Sequence, residues 1–459
     1  MKYLQILLVL FIFQISNLYG QQNITWLEIY GGTEGEAPRD IIQTPDGGYI
    51  FTGYTHSNDH DVSGNNGERD IWVVKLTNQR EIEWQKCLGG SDWDIGNKIF
   101  SLDDNSYMIL GSTKSSDGDI TGNHGDYDGW LIKIDLDGNI LWQSCYGGDG
   151  SDIFRDICQT IDGGYIVVGS SESDYINGMA TGNNGSSDCW IMKLDNLGNI
   201  EWYKIYGGHH EDGMKNIMEA NDGGYIVAGT TWSNDGDIIG FKGGTDGWIL
   251  KLDDIGNIEW NKCYGGSGID LLTSIIKVNN SYLITGHTDS EDGDITNNHG
   301  GNDVWVFEID NDGNIEWQKC YGGTGSDLSS KILSTIDGNL MITGSTSSWD
   351  GDVFGQHGQY DFWIFKIDSQ HDIIWQKCIG GWGADRGYDI LEADENIYTI
   401  IGMTKSYEGD MPFNYGYRDD ICLLEIAEYV PDVPMGSAGI IITILLIVGV
   451  FVVRRVRSV

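Results

Sequence analysis

One short phrase recurs at a nearly constant interval along this chain: a tryptophan, three further residues, then Tyr, Leu or Ile and a pair of glycines. Successive tryptophans of the phrase are 57–60 residues apart. The copies are ITWLEIYGG (24–32), EWQKCLGG (83–90), LWQSCYGG (141–148), EWYKIYGG (201–208), EWNKCYGG (259–266), EWQKCYGG (316–323) and IWQKCIGG (374–381). A repeat of this length constrains the architecture, because each unit buries its apolar face against the next one.

Three further positions recur in register with this phrase. The isoleucine nine residues after the second glycine is Ile41, Ile99, Ile157, Ile217, Ile275, Ile332 and Ile390. The glycine of the following strand is Gly53, Gly111, Gly169, Gly229, Gly286, Gly344 and Gly402. A second tryptophan, replaced by Cys422 in the last unit, is Trp72, Trp130, Trp190, Trp248, Trp305 and Trp363. Matches within one chain indicate structure that every unit shares.

Each unit is predicted to contain four short strands and no helix. In the third unit these are DICQT, YIVVGS, DCWIMKLD and NIEWYKIYGG, which are rich in β-branched and aromatic residues and separated by Gly, Asp and Asn turns. Four antiparallel strands in each of seven units predict an all-β, seven-bladed β-propeller. An open β-solenoid is the alternative, although its units are usually shorter and it would need caps.

The first copy of the phrase stands alone, because no strands precede it in the mature chain. The last unit, in contrast, has three predicted strands but lacks the closing W-x-x-x-[YLI]-G-G strand. We therefore predict that residues 21–32 supply the fourth strand of blade seven and close the ring, which removes two exposed sheet edges. The propeller would then span residues 21–428.

The two ends of the chain predict export and anchoring. Residues 1–20 have the order of a signal peptide: Lys2, an apolar run, then small or polar residues. Residues 436–453 form an uncharged apolar stretch of 18 residues, which suits a bilayer core, and a basic tail (454–459) follows. A buried core helix is the alternative. We expect a single-pass protein of the cell membrane, with a short stalk (429–435) and the propeller outside.

This C-terminal region resembles the sorting signals of prokaryotic surface proteins, which combine a short Pro-containing motif, an apolar helix and a basic cluster. The resemblance implies a prokaryotic cell-surface location, in which the helix is retained or is cut off and replaced by another anchor.

The charge of the chain excludes one class of partner. The sequence has 69 Asp and Glu against 27 Lys and Arg. Binding to nucleic acid is not expected, because phosphates require a basic surface. The excess of acid favours cations, cationic surfaces or simple solubility.

The loops predict that the two faces of the propeller differ. On one face, loops join the second strand to the third and each unit to the next, and some are long, as in SSDGDITGNHGDYD (115–128). We call this the long-loop face; the other, with turns such as DGG and DxxGN, is the tight-turn face. Function in repeat folds is concentrated where loops are long. Because the last strand ends at the tight-turn face, the long-loop face should point away from the membrane.

A D-G-D motif recurs in the long loops and is a candidate Ca²⁺ site. Paired carboxylates and backbone carbonyls in a glycine-rich loop offer the oxygen ligands that this ion prefers. The alternative is that Asp and Gly only shape the turns. The candidate ligands are Asp117, Asp119, Asp235, Asp237, Asp292, Asp294, Asp350 and Asp352.

The recurring tryptophans are interpreted as core residues that fill the wedge between blades. Four tryptophans fall outside the repeat pattern, and these are the candidates for exposed rings that stack on a ligand: Trp93, Trp232, Trp349 and Trp382.

Other recurring polar residues are given structural roles. An Asp two residues before each second tryptophan or its Cys equivalent should accept hydrogen bonds from loop backbone; the set is Asp70, Asp128, Asp188, Asp246, Asp303, Asp361 and Asp420. His124, His299 and His357 share one repeat position in separate blades, which disfavours a common metal site.

Five equivalent cysteines are expected to be buried, mostly free thiols; they are Cys87, Cys145, Cys263, Cys320 and Cys378.

The unit W-Q-K-x-[YL]-G-G…D-G-G-Y-I-x-x-G…D-x-W-x-x-K-[IL]-D-x-x-G-N-I resembles a repeat of secreted and surface β-propeller proteins of bacteria and archaea. The resemblance covers residues 24–428 and implies the fold, whereas propellers host many activities. The K-L-D-x-x-G-N-I-x-W hairpin also resembles the blade motif of quinoprotein dehydrogenases, but the Asp-to-Trp spacing is one residue shorter and the adjacent cysteine pair of that family is missing.

Two classes of function follow from the sequence. The favoured one is a membrane-anchored binding or adhesion module that recognises a protein or glycan, with Ca²⁺ as a candidate cofactor. The alternative is a propeller enzyme, either quinone-dependent or a polysaccharide hydrolase or lyase, although the sequence shows no catalytic constellation. A deep axial pocket lined by unlike residues would favour the enzyme, and a broad quasi-symmetric acidic face would favour binding.

Overall fold

The computed structural model describes residues 22–176, 179–180, 182–220, 222–416 and 418–428, and every regular element among them is a strand. The strands form seven four-stranded antiparallel sheets, which are the blades, and a two-stranded hairpin in one loop. The inner strand of each blade contacts the inner strands of both neighbours, and the seventh contacts the first. This closed circle confirms the seven-bladed β-propeller and excludes an open solenoid.

The strands follow one another regularly along the chain. The first is β1 (Gln22–Tyr30), and blade 1 contains β2 (Glu36–Gln43), β3 (Tyr49–Thr55), β4 (Asp70–Leu76) and β5 (Ile82–Leu88). Blade 2 contains β6 (Asp94–Leu102), β7 (Ser106–Thr113), β8 (Asp128–Ile134) and β9 (Ile140–Tyr146). Blade 3 contains β10 (Asp152–Gln159), β11 (Tyr165–Ser171), the hairpin β12 (Tyr175–Ile176) and β13 (Met179–Ala180), β14 (Asp188–Leu194) and β15 (Ile200–Tyr206).

The remaining four blades repeat this pattern. Blade 4 contains β16 (Asp212–Glu219), β17 (Tyr225–Thr231), β18 (Asp246–Leu252) and β19 (Ile258–Tyr264). Blade 5 contains β20 (Asp270–Val278), β21 (Ser281–Thr288), β22 (Asp303–Ile309) and β23 (Ile315–Tyr321). Blade 6 contains β24 (Asp327–Ser334), β25 (Leu340–Thr346), β26 (Asp361–Ile367) and β27 (Ile373–Ile379), and blade 7 begins with β28 (Asp385–Asp394), β29 (Ile397–Thr404) and β30 (Asp420–Glu428).

Blade 7 takes its outer strand from the start of the chain. The order in this sheet is β1-β30-β29-β28, so β1 occupies the place that β5 holds in blade 1. Ile29 is buried in the core formed with Cys422 and Leu424 of β30. The ring is therefore closed by the strand that carries ITWLEIYGG, as the repeat predicts.

The two sets of tryptophans stabilise different parts of each blade. Those of the third strands have no exposed surface, and in blade 1 the indole N–H of Trp72 donates to Gln85 Oε1 at 2.9 Å. Those of the outer strands are mostly half-buried against the next blade: Trp84 Nε1 donates to Leu136 O of blade 2 at 2.9 Å. Both sets are packing residues, as expected from their regular placement.

A β-bulge interrupts every inner strand at the same position. In blade 3 the pairing of β10 with β11 shifts between Phe154 and Asp156, so that Arg155 is the extra residue. The recurring glycine of the second strand lies opposite the bulge. A Cβ at Gly169 would be 1.8 Å from Ile153 O, which no side chain tolerates. The glycine therefore allows the backbone approach that the sequence predicted, and with it the bulge.

Several predicted segments lie outside the described residues: the signal peptide, the stalk, the apolar segment 436–453 and the basic tail. Within the part of the chain that the structure describes, no helix has the length and apolarity needed to span a bilayer.

The role of the recurring glycine can be tested with two Gly→Ala substitutions in one blade. A Cβ at Gly229 of β17 would be 2.1 Å from Gly213 O, whereas a Cβ at Gly213 of β16 would meet only Ser170 Cβ at 3.7 Å, an ordinary contact. We expect Gly229→Ala to lower the free energy of unfolding by about 3 kcal/mol. Gly213→Ala should leave it unchanged or raise it by about 0.5 kcal/mol. Chemical denaturation measures both, and equal effects would contradict this role.

Candidate functional site

The long-loop face is built on a pair of buried carboxyl groups at every junction between blades. Between blades 1 and 2 the pair is Asp70, at the start of β4, and Asp94, at the start of β6; neither has exposed surface. The first glycine of the Gly-Gly loop lies between them: a Cβ at Gly89 would be 2.5 Å from Asp94 Oδ2 and 2.6 Å from Asp70 Oδ1. The equivalent pairs are Asp128/Asp152, Asp188/Asp212, Asp246/Asp270, Asp303/Asp327, Asp361/Asp385 and Asp420/Glu36.

Backbone and hydroxyl donors hold these carboxyl groups. Asp94 accepts hydrogen bonds from Gly90 N and Ser115 Oγ, both at 2.9 Å. Asp70 accepts one from Asn66 N of its own loop at 2.9 Å, and the other six third-strand aspartates accept the equivalent bond. The loop-bracing role predicted for this aspartate set is confirmed.

Histidine extends the same arrangement in three blades. The ring Nδ1 atoms of His124, His299 and His357 lie 2.6–2.7 Å from the third-strand aspartate of their own blade. Each histidine therefore caps a separate carboxyl group, and the three do not meet.

The D-G-D motifs bind the Gly-Gly loops. In blade 2, Asp117 Oδ1 accepts the Ser91 N–H at 2.7 Å and Asp119 Oδ2 accepts the Gly89 N–H at 3.1 Å. The same bonds recur at Asp235 and Asp237, Asp292 and Asp294, and Asp350 and Asp352. The motif thus ties each long loop to the adjacent inter-blade loop.

Calcium binding by these loops stays a prediction. Among the residues of 22–428 that the structure describes, no three His, Cys, Asp or Glu residues are grouped as ligands of one metal ion. The turn-shaping alternative has direct support in the backbone hydrogen bonds of each D-G-D pair.

Exposed aromatic side chains are confined to the long-loop face in the described part of the chain. They lie in loops that join second to third strands or successive blades: Trp93, Tyr175, Trp232, Trp349, Phe354, Trp382, Tyr407 and Phe413. Five of the eight belong to the loops of blades 6 and 7. Phe413 also contacts Tyr415, with ring centroids 5.1 Å apart, and Tyr415 contacts His60 of blade 1 at 4.7 Å.

The four predicted stacking tryptophans differ in how accessible their rings are. Trp349 and Trp382 are 69% and 76% exposed, and Trp232 is 47% exposed. Trp93 is 36% exposed, and the guanidinium of Arg69 lies 4.1 Å from its ring centroid. Trp93 is therefore already occupied by a cation–π contact, whereas Trp349 and Trp382 are exposed rings in the loops of blades 6 and 7.

A cavity of about 120 Å³ lies on the axis, where the inner strands of all seven blades meet. The bulge of each inner strand places one residue in its wall: Arg39, Asn97, Arg155, Lys215, Thr273, Ser330 and Tyr388. A bulge re-aims a side chain that regular alternation would direct towards a neighbouring blade. The wall consequently carries different side chains in most blades, and only blades 1 and 3 contribute the same pair, Arg39 with Asp40 and Arg155 with Asp156.

The residue after the bulge makes polar contacts with a neighbouring blade in five of the seven blades. Asp40 Oδ2 accepts the Ile99 N–H of blade 2 at 2.9 Å, and Asp156 Oδ2 accepts the Ile217 N–H of blade 4 at 3.0 Å. Asp389 makes the equivalent bond to blade 1 at 3.3 Å. The carboxylates of the cavity wall are thus committed to holding the ring together.

Two lysines of the wall are neutralised by these carboxylates. Lys98 Nζ is 3.1 Å from Asp40, and Lys331 Nζ is 3.6 Å from Asp389. Burial raises the pKa of Asp40, whereas Lys331 and Lys98 hold the pKa of Asp389 below its usual value in spite of burial.

Sequence reasoning missed this axial ring. Its members stand two residues before the recurring isoleucine, at a position that holds six residue types in seven units while its surroundings repeat. That variability was the available signal. The bulge that turns the position towards the axis has no signature of its own in the sequence, so the position was not distinguished from an ordinary strand residue.

The eight cysteines of the chain all fall within the described residues and are free thiols. Four of the five equivalent ones are buried, as their exchange with isoleucine predicts, and Cys87 is half-buried.

Comparison with known proteins shows the fold alone. No protein-family model matches the chain, and no curated protein matches it. Among solved structures, the chain is similar to BamB from Moraxella catarrhalis, with 13% identity over 89% of this chain and 100% of that one and a TM-score of 0.40. It is also similar to the Pan2 WD40 domain of Neurospora crassa, with 9% identity over 89% and 96% and a TM-score of 0.46. Likenesses at this level carry no argument about function.

The buried carboxyl groups predict an unusual dependence of stability on pH. Burial raises the pKa of Asp70 and Asp94 to about 6, and that of Asp246 to about 7. The folded state therefore binds more protons than the unfolded state between about pH 4 and 7, and the free energy of unfolding falls as pH rises through this window. We expect a higher melting temperature at pH 5 than at pH 8.

In more acidic solution the gain in stability ends, because other carboxyl groups have a lowered pKa and stabilise the folded state only when they are ionised. Lys75 and Thr44 hold the pKa of Asp46 at about 2, so its stabilisation is lost as pH falls below about 4. Asp246→Asn should flatten the profile between pH 5 and 8, whereas Asp254→Asn, on an exposed turn, should not. Calorimetry across this range measures the profile, and a melting temperature that rises steadily from pH 5 to pH 8 would contradict the assignment.

Proposed function

We propose that this propeller is a protein-interaction module that binds its partner through the long-loop face. The observation that carries the proposal is the distribution of exposed aromatic side chains, all of which, among described residues, lie on that face. The exposed large apolar side chains elsewhere are aliphatic: Leu136, Leu141, Ile161, Leu197, Ile255 and Ile336. Aromatic residues are enriched in protein interfaces, because they give large contact areas at low conformational cost.

The sector formed by blades 6 and 7 is the proposed centre of the interface. It contains Trp349, Phe354, Trp382, Tyr407 and Phe413, each at least 40% exposed. Few anchors usually provide most of the binding energy, and tryptophan is prominent among them. We therefore assign the leading contacts to Trp349 and Trp382.

The loops that present these anchors are preorganised. Gly383 N, next to Trp382, donates to Ser406 Oγ at 2.9 Å, and Ser406 Oγ donates to the buried Asp385 at 2.7 Å. Ser348, next to Trp349, donates to the equivalent Asp327 at 2.7 Å. Fixing the loops before association reduces the entropy lost on binding.

The charge of the chain selects the kind of partner. Although part of the acidic composition is buried in the loop frame, the formal net charge of −42 favours a protein with a basic surface, since complementary charge accelerates encounter and disfavours acidic competitors. A glycan partner would use the same tryptophan rings by stacking and is the other outcome that the experiment below distinguishes.

The proposal includes the location predicted from the sequence. Residues 1–20 would direct export and residues 436–453 would anchor the chain, with the long-loop face turned away from a prokaryotic cell membrane. In that setting the interaction serves adhesion or assembly at the cell surface.

An enzyme is not adopted as a second function, although the axial cavity is lined by unlike residues. Its wall contains neither histidine nor cysteine among the residues described, and its three carboxylates hold backbone N–H groups of neighbouring blades. No hydrogen-bonded pair of a nucleophile and a base is formed by the wall residues that the structure describes, so the geometry does not favour an enzyme.

Paired variants on the two faces test the interaction face. Trp349→Ser with Trp382→Ser removes both leading anchors, and Leu197→Ser with Ile255→Ser removes exposed apolar residues from the tight-turn face. We expect the first double variant to lose at least about tenfold in affinity and the second to bind like the wild type. Affinity is measured by capture of surface proteins of the source cells with quantitative mass spectrometry, and a glycan array is probed in parallel.

The outcomes separate the possibilities. The proposal is supported if protein capture is lost in the tryptophan variant and retained in the tight-turn variant. If the tryptophan variant loses only glycan binding, the partner is a glycan and not a protein. Loss in the tight-turn variant alone would place the interface on the opposite face and overturn the proposal.

Calcium assistance is tested separately by the melting temperature. Binding to the D-G-D loops requires millimolar Ca²⁺ to raise the melting temperature of the metal-free protein, and Asp350→Asn with Asp352→Asn should reduce that rise. An unchanged melting temperature would leave loop bracing as the role of the motif.

A further inference from the structure

The axial ring contrasts with the composition of the chain. Acidic residues outnumber basic ones by 69 to 27 in the sequence, yet none of the seven bulge residues is acidic. All of them carry N–H or O–H donors, and three are basic: Arg39, Arg155 and Lys215. When the residues that follow the bulges are included, the cavity wall contains five cationic side chains and three carboxylates.

Two of the cations that have no carboxylate partner lie in blades 3 and 4. Arg155 and Lys215 are adjacent in the ring and reach open space within the cavity. Neither makes a hydrogen bond or ion pair with any other residue that the structure describes. This distinguishes them from Lys98 and Lys331, whose ammonium groups are paired with Asp40 and Asp389.

Holding these cations together is unfavourable for the unliganded fold. Crowding by the surrounding protein and the neighbouring Arg155 lower the pKa of Lys215 to about 8, and crowding with the charge of Arg39 lowers the pKa of Arg155, although both side chains are exposed to the solvent of the cavity. The Nε of Arg39 is also buried without a hydrogen-bond partner among the described residues. Uncompensated charge and unused donors that converge on one cavity are typical of a site that a ligand completes.

One hydroxyl group, that of Ser330, completes the free donors of the wall. Ser330 belongs to blade 6, across the cavity from blades 3 and 4. The other three members are already used: the Tyr388 hydroxyl donates to Met403 Sδ at 3.6 Å, Asn97 donates to Phe154 O at 2.7 Å, and Thr273 Oγ1 lies 2.9 Å from Ser329 Oγ. The unused donors therefore surround the cavity from both sides.

We propose that the axial cavity binds a small oxyanion, a phosphate or carboxylate group, held by Arg39, Arg155 and Lys215 with help from Ser330. Guanidinium and ammonium groups form charge-assisted hydrogen bonds with both anions, and arginine can bind them through two nitrogens. A volume of about 120 Å³ equals that of about four water molecules, which is enough for such a group. This site is separate from the proposed interaction face and does not depend on it.

Calorimetric titration of the full-length protein tests the site with two probes, inorganic phosphate and succinate, at constant ionic strength with chloride as the background anion. We expect saturable one-to-one binding of at least one probe with a dissociation constant below about 1 mM. The affinity should fall at least about tenfold in Arg155→Gln and in Lys215→Gln. Lys377→Gln, on the outer strand β27, is the matched control and should bind like the wild type. The relative affinities of the two probes identify the preferred anion.

Melting temperatures, measured with and without oxyanion, test the site even if a variant folds poorly. Because Lys215 is an unpaired cation beside Arg155, Lys215→Gln should melt at the same or a higher temperature than the wild type in the absence of oxyanion. Phosphate or succinate should raise the melting temperature of the wild type and not that of the variant. Absence of saturable binding by the wild type, or binding unaffected by both substitutions, would overturn the proposal.

Discussion

The structure depends on a close approach between two backbones at the centre of every blade. The recurring glycine of the second strand faces the first strand, where a Cβ would be 1.8–2.4 Å from a carbonyl oxygen. This approach accommodates the β-bulge, and the bulge has two consequences. It turns one side chain per blade towards the axis, and it sets the following residue against the next blade, where Asp40, Asp156 and Asp389 accept backbone hydrogen bonds.

A second constraint acts at the long-loop face, where two carboxyl groups flank the first glycine of each inter-blade loop. Their hydroxyl and amide donors, together with the D-G-D carboxylates of blades 2, 4, 5 and 6, tie the long loops to the adjacent inter-blade loops. A substantial part of the acidic composition is therefore internal architecture. The amino-acid composition therefore overstates the negative charge of the surface that a partner contacts. The exposed aromatic side chains are the more specific indication of an interface.

The sequence predicted what repetition makes visible. Each unit repeats the same pattern, so chance matches are averaged out. This repetition predicted the blade number, the closing strand β1, the packing roles of both tryptophan sets and the loop-bracing aspartates such as Asp70. The sequence was less successful with single residues. Trp93 was grouped with Trp349 and Trp382, but the cation that covers its ring comes from Arg69, which the repeat pattern does not single out. The axial ring was missed because its members share a position but, apart from Arg39 and Arg155, no residue type.

The sequence by itself determined the repeat, the strand pattern within each unit and the closure of the ring, because these follow from local periodicity and from the mismatch between the first and last units. The tertiary structure alone decided which residues meet. Arg39, Arg155 and Lys215 are far apart in the chain and lie in separate blades, and they converge only because seven inner strands surround one axis. A bulge also moves each of them out of the two-residue alternation from which side-chain direction is inferred, so their common destination is a property of the closed ring.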